Sequence, residues 1–375
     1  MLVRVDFNVP IKGGKVLETF KIEKSVATIE YLRKHGARVV LMSHLGRPKG
    51  HETRLSLRPV CQVLKKMLSA PVTFCDVANL NKVSAKIDAL ANGEILLLEN
   101  IRFVPGEETN DQRLAKKMAS WGDVFVLDGF AVAHRNAASV SGVARYLPIY
   151  AGLLLKTEVE ALSKIMEKPT KPFVVIIGGA KVETKLPLIK QFIKKANYIL
   201  VGGGILDTYL SAKGFKVGAS LVDTKLRAAI LKYAKNKKII WPVDVVVGEF
   251  GGDKATVHKL DESFGVTNKR EGIYDVGPAT VRLFATYIKR AKTLLWNGPL
   301  GVIEQHPYAS STNAIADIFA ARSKGRAFGV TGGGETVQLL QKRGILSDID
   351  MVSTGGGAML EFLSGEKLPG LKALQ

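Results

Sequence analysis

Short apolar runs of strand length alternate with stretches of helical period along the whole chain. The runs at 39–42, 95–98, 124–127, 174–177, 198–201, 294–296 and 327–330 predict strands, and the patterns at 24–34, 57–67, 112–120 and 312–322 predict amphipathic helices. Such alternation builds βαβ units, so the expected class is α/β with doubly wound, mainly parallel sheets covered by helices on both faces. Residues 153–168 read as one long helix that ends before Pro169, close behind a candidate boundary at Leu147-Pro148. The predicted domains are therefore 1–150 and 151–357, with the 153–168 helix as a semi-rigid strut between them. A length of 375 residues suits two cores better than one.

Composition adds exclusions. No apolar run approaches the roughly 20 residues a membrane helix needs. The opening Met1-Leu2-Val3-Arg4-Val5 shows no signal-peptide pattern, which predicts a cytoplasmic protein without membrane contact. Cys61 and Cys75 lack metal-site or CxxC spacing and read as plain thiols in a reducing compartment. The net charge of +20 first suggests nucleic acid. However, it divides into +8 for residues 1–150 and +12 for residues 151–375, with no basic tail. A spread of this kind fits solvated helix faces on a protein that handles polyanionic metabolites, and a nucleic-acid partner is not expected.

One local device recurs four times, an apolar run entering glycines and then a helical pattern: Ile177-Gly178-Gly179, Val201-Gly202-Gly203-Gly204, Thr331-Gly332-Gly333-Gly334 and Thr354-Gly355-Gly356-Gly357. Glycine lets a ligand approach the backbone amides, and the helix that follows offers unpaired N–H groups to an anion. A single such turn is satisfied by tight packing alone; four in one domain point to a phosphate cradle. No GxxxxGK[ST] or strand-linked GxGxxG motif is present, so the compensating charge must come from elsewhere. The segment Gly178-Gly179-Ala180-Lys181-Val182-Glu183-Thr184-Lys185 supplies it, and the spacing of Lys181 and Lys185 predicts one shared helix face.

The first half instead places arginine and histidine just after strands, in Arg4-Val5-Asp6-Phe7-Asn8-Val9-Pro10, Ser43-His44-Leu45-Gly46-Arg47-Pro48, Glu99-Asn100-Ile101-Arg102-Phe103 and His134-Arg135. Guanidinium forks bind phosphate and carboxylate in bidentate fashion, which suits a small dianionic acid. A nucleotide half beside an acid half implies phosphoryl transfer, a reaction that needs positioning and charge neutralisation more than covalent chemistry.

RVDFNVP, SHLGRP, LENIRF, GGAKVETK, DVGP, WNGPLGV and STGGGAMLEFLSGEKLPG, in this order through nearly the whole chain, resemble the phosphoglycerate kinase family. The resemblance implies reversible, glycolytic phosphoryl transfer between ATP and the carboxylate of 3-phosphoglycerate, giving ADP and 1,3-bisphosphoglycerate, with Mg²⁺ as cofactor and a monomeric chain. It implies two doubly wound domains that face each other across a hinged cleft, and a C-terminal segment, from about residue 358 to 375, packed back on the first domain. Arg4, Asp6, Asn8, Lys21, His44, Arg47, Arg102 and Arg135 would bind the phosphoglycerate. Lys181, Lys185, Gly202, Gly203, Asn297, Pro299, Glu304, Gly332, Gly333, Gly334, Glu335 and Thr336 would bind the nucleotide, with Glu335 on the metal. Lys21, Lys181, Gly333 and Gly356 would stabilise the transferring group.

Three departures from the family pattern stand out. Lys21 takes the place of an arginine that bridges the two substrates; lysine keeps the charge and loses the planar fork, for an expected rate loss of about 10–10³. Glu335 stands where the family has aspartate on magnesium, so its extra methylene must be absorbed by backbone or a bridging water. The chain also begins almost at its first strand, without the family's short leader. These changes leave open a second reading, a binding protein on the same scaffold with weak or no catalysis.

Overall fold

The apolar runs pair into two parallel six-stranded sheets. The structure is a computed structural model describing residues 1–375, and it divides into two compact units, residues 1–160 with 366–375, and residues 161–365. In the first unit the strands run, edge to edge, Val72–Cys75, Ile95–Leu98, Val39–Met42, Leu2–Arg4, Phe125–Leu127 and Ile149–Ala151. All their pairings are parallel. In the second unit the order is Ile239–Ile240, Tyr198–Val201, Phe173–Ile177, Thr293–Asn297, Phe328–Gly332 and Met351–Ser353, again parallel throughout.

Each sheet is doubly wound, because chain order reverses direction beside its first strand. In the first unit that point lies between Leu2–Arg4 and Phe125–Leu127; in the second it lies between Phe173–Ile177 and Thr293–Asn297. Ligands of open α/β sheets bind outside the carboxyl ends of strands at such points. Central strands are apolar on both faces, as parallel sheets require. Val39–Met42, Ile95–Leu98 and Phe173–Ile177 are buried at every position. Truncating one such residue, for example Leu41→Ala, costs about 2–5 kcal/mol.

The helix at Leu153–Glu167 forms as its period predicts, and the unit boundary falls inside it, after Glu160. The helix Gly357–Leu363, which carries Ala358, belongs to the second unit, where it packs on Val182–Lys195. Residues 366–375 belong to the first unit, and there the Gly370 amide donates to the Ala133 carbonyl at 2.7 Å. The second unit also carries an antiparallel sheet that the sequence pattern does not announce. Its strands are Ala255–Lys259, Asp244–Glu249 and Glu271–Val276, in that order. No helix is long and apolar enough to cross a membrane.

Candidate active site

In the first unit, the chain leaving Leu2–Arg4 carries Asp6 and Asn8 to the sheet's carboxyl end. Asp6 is buried; its Oδ2 accepts from Lys21 Nζ at 2.6 Å and its Oδ1 from the Asn8 amide at 3.1 Å. Burial pushes this carboxyl up, but Lys21, His44 and the two hydrogen bonds outweigh it and hold Asp6 below the ordinary range. Lys21 reaches Asp6 from the first turn of the helix Phe20–Lys34. Asn8 Oδ1 accepts from the Gly46 amide at 3.0 Å, which fixes the loop carrying His44 and Arg47. Asn100 fixes the same loop from the other side, accepting from the Leu45 amide at 3.2 Å and donating to the Leu45 carbonyl at 2.7 Å.

The cations around this frame differ in how they are held. Arg4 is buried and committed to the protein: its Nε donates to Ser139 Oγ at 2.9 Å, its Nη1 to the Val5 carbonyl at 2.7 Å and its Nη2 to His44 Nδ1 at 3.3 Å. Glu107, buried below it, binds the same Ser139. Arg4 thus holds His44 in place from behind. His44 itself is pushed well below its usual pKa by burial, with Asp6 opposing the effect and Arg4, Arg102 and Arg135 adding to it. Arg102 donates to the Gly46 carbonyl and pairs with Glu108 at 2.9 Å. Burial and then the charge of Arg135 lower its pKa. Arg135 Nε is buried without a partner, and Arg47 is exposed. Partly buried arginines that repel one another form a basin that an anion would relieve.

In the second unit, two of the four glycine turns, at Gly178 and at Gly332-Gly333, meet Asn297 at the switch point, and a third, at Gly203-Gly204, packs on Gly179. Gly203 shows why glycine is needed: its φ is +57°, and a Cβ there would lie 2.8 Å from the Gly179 carbonyl oxygen. Gly333 faces Asn297, a Cβ on it lying 3.3 Å from Nδ2. The fourth turn follows Met351–Ser353 on the same sheet edge, where the Gly355 amide donates to Ser353 Oγ at 3.0 Å. Asn297 is buried, accepts from Lys185 Nζ and donates to the Gly332 carbonyl at 2.8 Å. Thr336 Oγ1 accepts from the Gly298 amide at 3.1 Å and so braces the turn before Pro299.

The two lysines do not share a helix face. Lys181 is the exposed N-cap of the helix Val182–Lys195, with φ −89° and ψ 95°, whereas Lys185 lies inside that helix and is buried. The chain turns into the helix one residue later than the spacing argument assumes. Burial brings the Lys185 ammonium down to about 8, and Glu335 partly counters that. Glu335 is exposed in the first turn of the helix Gly334–Lys342.

The turns at Gly178-Gly179 and Gly202–Gly204 open on a cavity of about 640 Å³ lined by Gly179, Gly203, Pro299, Glu304 and Glu335 near the glycines, and by Leu206, Asp207, Ile273, Tyr274 and Asp275 elsewhere. A cavity of about 690 Å³ beside the antiparallel sheet, lined by Val246, Val257 and Arg282 among others, carries no glycine turn. Glu107, Ser139, Asp207 and Tyr274 escape sequence reasoning, since nothing local marks a carboxylate or phenol for burial. Asn100 lies within a motif but gives no sign of its bracing role.

A glycine-lined cradle with a buried lysine, together with an arginine basin built on a second sheet, defines a phosphotransferase. The sequence profile of the phosphoglycerate kinase family matches residues 1–366. The phosphoglycerate kinases of Dictyoglomus turgidum and Moorella thermoacetica are 42% and 44% identical to this chain, each alignment covering all of it and 95% of the relative. The solved phosphoglycerate kinase structure from Coxiella burnetii superposes with a TM-score of 0.84 at 39% identity, and that from Pyrococcus horikoshii with 0.85 at 33%. Both superpositions cover the whole chain and 95% of the other structure. The chain belongs to the phosphoglycerate kinase family.

Proposed function

We propose that the chain catalyses reversible phosphoryl transfer between ATP and the carboxylate of 3-phosphoglycerate, giving ADP and 1,3-bisphosphoglycerate in glycolysis. The first unit takes the phosphoglycerate and the second the nucleotide. Arg47, Arg102 and Arg135 hold the substrate phosphate, with His44 beside them as a hydrogen-bond donor. Asp6 and Asn8 meet the hydroxyl and carboxylate end, Asp6 also holding Lys21 in place. Arg4 acts behind this layer, through His44. The observation that carries the reading is the crowding of Arg102 and Arg135 around a buried His44, with a guanidinium nitrogen of Arg135 buried and unpaired.

On the nucleotide side, Lys185 neutralises phosphate from within the cradle and is steered by Asn297. The amides of Gly333 and Gly356, with Gly202, Gly203, Gly332, Gly334 and Thr336 shaping the turns, receive the transferring group; Pro299 and Glu304 border the nucleotide. Lys181 and Lys21 balance charge on the equatorial phosphoryl oxygens. The attacking atom is the substrate carboxylate oxygen, so no general base is required.

The donor set suits magnesium. Glu335 offers one exposed carboxylate at the cradle, and no cluster of three or more metal-binding side chains is present. Magnesium takes one or two protein carboxylates and fills its shell with phosphate oxygens and water. Glu335 would hold it, and the ion would supply charge neutralisation on the nucleotide phosphates. We take the chain to act as a monomer in the cytoplasm, as expected for a glycolytic kinase of this family.

Phosphorylation of 3-phosphoglycerate by MgATP, run beside Lys21→Arg, tests the reading. Turnover in the parent and a rate increase of about 10–10³ in Lys21→Arg are expected. No turnover in either protein, with nucleotide bound, would refute the activity. Turnover only in Lys21→Arg would identify a binding protein, a reading that no feature of either site favours.

A further inference from the structure

The nucleotide cavity contains one acid that the phosphate chemistry does not use. Asp207 lies one helical turn beyond the Gly203 cap, its amide donating to the Gly203 carbonyl at 3.2 Å, and it lines the same cavity. The residue is 5% exposed, and its carboxyl makes no hydrogen bond or ion pair with the protein. A polar group buried in this way costs free energy until something bonds it. The other acids of the cavity are accounted for. Asp275 accepts from the Val276 amide at 2.9 Å and the Ser311 amide at 3.0 Å, while Glu304 and Glu335 are exposed at the rim.

The walls around Asp207 are suited to a flat ring. Leu206, Val222, Ile273 and Leu300 line the cavity, as do Phe250 and Tyr274, whose rings lie 5.7 Å apart edge to face. Apolar and aromatic walls with a few placed polar groups are how small-molecule sites fix orientation, and the Tyr274 hydroxyl shares this space, its pKa raised by burial and then by Asp207. With phosphates on the glycine turns, the base of the nucleotide is the part left to fill this apolar space.

We propose that Asp207 reads the nucleotide base, its carboxyl oxygen accepting a hydrogen bond from the exocyclic amino group of adenine. The inference rests on the nucleotide occupying this cavity. Burial pushes the Asp207 carboxyl well above its usual range, and no cation faces it. A carboxyl oxygen accepts from the amino group in either protonation state, and a protonated carboxyl would also donate to the adjoining ring nitrogen. A base without the amino group would leave that acceptor unpaired, the kind of mismatch that a hydrogen-bonding site rejects most strongly.

The test compares kcat/KM for ATP with that for purine riboside triphosphate, which lacks only the 6-amino group. The parent is expected to prefer ATP by about tenfold to 100-fold. Asp207→Asn keeps a carbonyl acceptor and should keep most of that preference, whereas Asp207→Leu should bring the ratio near one. Ala219→Phe, which fills the same cavity, should lose both nucleotides. An unchanged ratio in Asp207→Leu, with Ala219→Phe inactive, would overturn the role of Asp207 alone. Unimpaired ATP turnover in Ala219→Phe would overturn the nucleotide reading of the cavity, and this proposal with it.

Discussion

Burial brings the Lys185 ammonium down to about 8, so near neutral pH it keeps its charge with little in reserve. Only the protonated form neutralises phosphate. ADP affinity should therefore hold from pH 6 to 7 and weaken as the pH rises through about 8, with the dissociation constant climbing toward about tenfold per unit above it. Calorimetric titration of ADP across this range checks the sign, and Lys185→Met should bind weakly at every pH with the dependence gone. Arg102 makes a different prediction, because the substrate phosphate it would hold is not the group that reacts. Arg102→Ala should raise KM for 3-phosphoglycerate about tenfold to 100-fold, the worth of a charge-assisted hydrogen bond, and change kcat far less. Steady-state kinetics separate the two, and a collapse of kcat at unchanged KM would take Arg102 out of ground-state binding.

Among the elements, the start of the Leu153–Glu167 helix depends on one buried acid. Asp128 Oδ1 accepts from the Leu154 amide at 3.0 Å and from Thr28 Oγ1 at 2.7 Å, and Thr28 in turn accepts from the Leu153 amide at 3.0 Å. Gly152 makes room for this, since a Cβ there would sit 2.1 Å from Asp128 Oδ1. Asp128→Ala should destabilise by about 1–2 kcal/mol through loss of the cap. Burial raises the Asp128 pKa to about 6, above its unfolded value, despite these hydrogen bonds. The folded state therefore holds the proton more tightly. The stability from this group is fully present below about pH 4 and is lost as the pH rises through about 6. Thermal melts of Asp128→Asn against the parent should lack that slope, and an identical slope in both would assign it elsewhere. This acid also marks the limit of what sequence can tell. The glycine turns, the arginine-bearing loops and strands such as Tyr198–Val201 are legible because each is a local pattern with a local cause. Asp128, Asp207 and Glu107 look like ordinary surface acids, and only the packing of distant segments buries them. The antiparallel sheet stays hidden for the opposite reason: Ala255–Lys259 is exposed at every position, so no burial alternation marks it. The shared face expected of Lys181 and Lys185 fails over a single residue, the N-cap, where the helix begins.

For the whole molecule, the charge of +20 acts on stability and substrate capture in opposite directions. Pairs such as Arg343–Asp317 at 2.5 Å and Lys324–Asp348 at 3.0 Å neutralise few of the 54 lysines and arginines. The remaining charges repel one another and oppose compaction, while both substrates are polyanions drawn in by the same field. Going from about 0.01 M to 0.1 M salt shortens the screening length from about 30 Å to about 10 Å. That change removes repulsion between distant surface cations but barely touches contacts within a partly buried site. The melting temperature of the unliganded protein should therefore rise over this range, while kcat/KM for both substrates falls and kcat stays nearly constant. The two trends must appear together, because one field produces both. A falling melting temperature would mean that surface ion pairs outweigh the net repulsion. A salt-independent kcat/KM would mean that the excess charge plays no part in drawing the substrates to their sites.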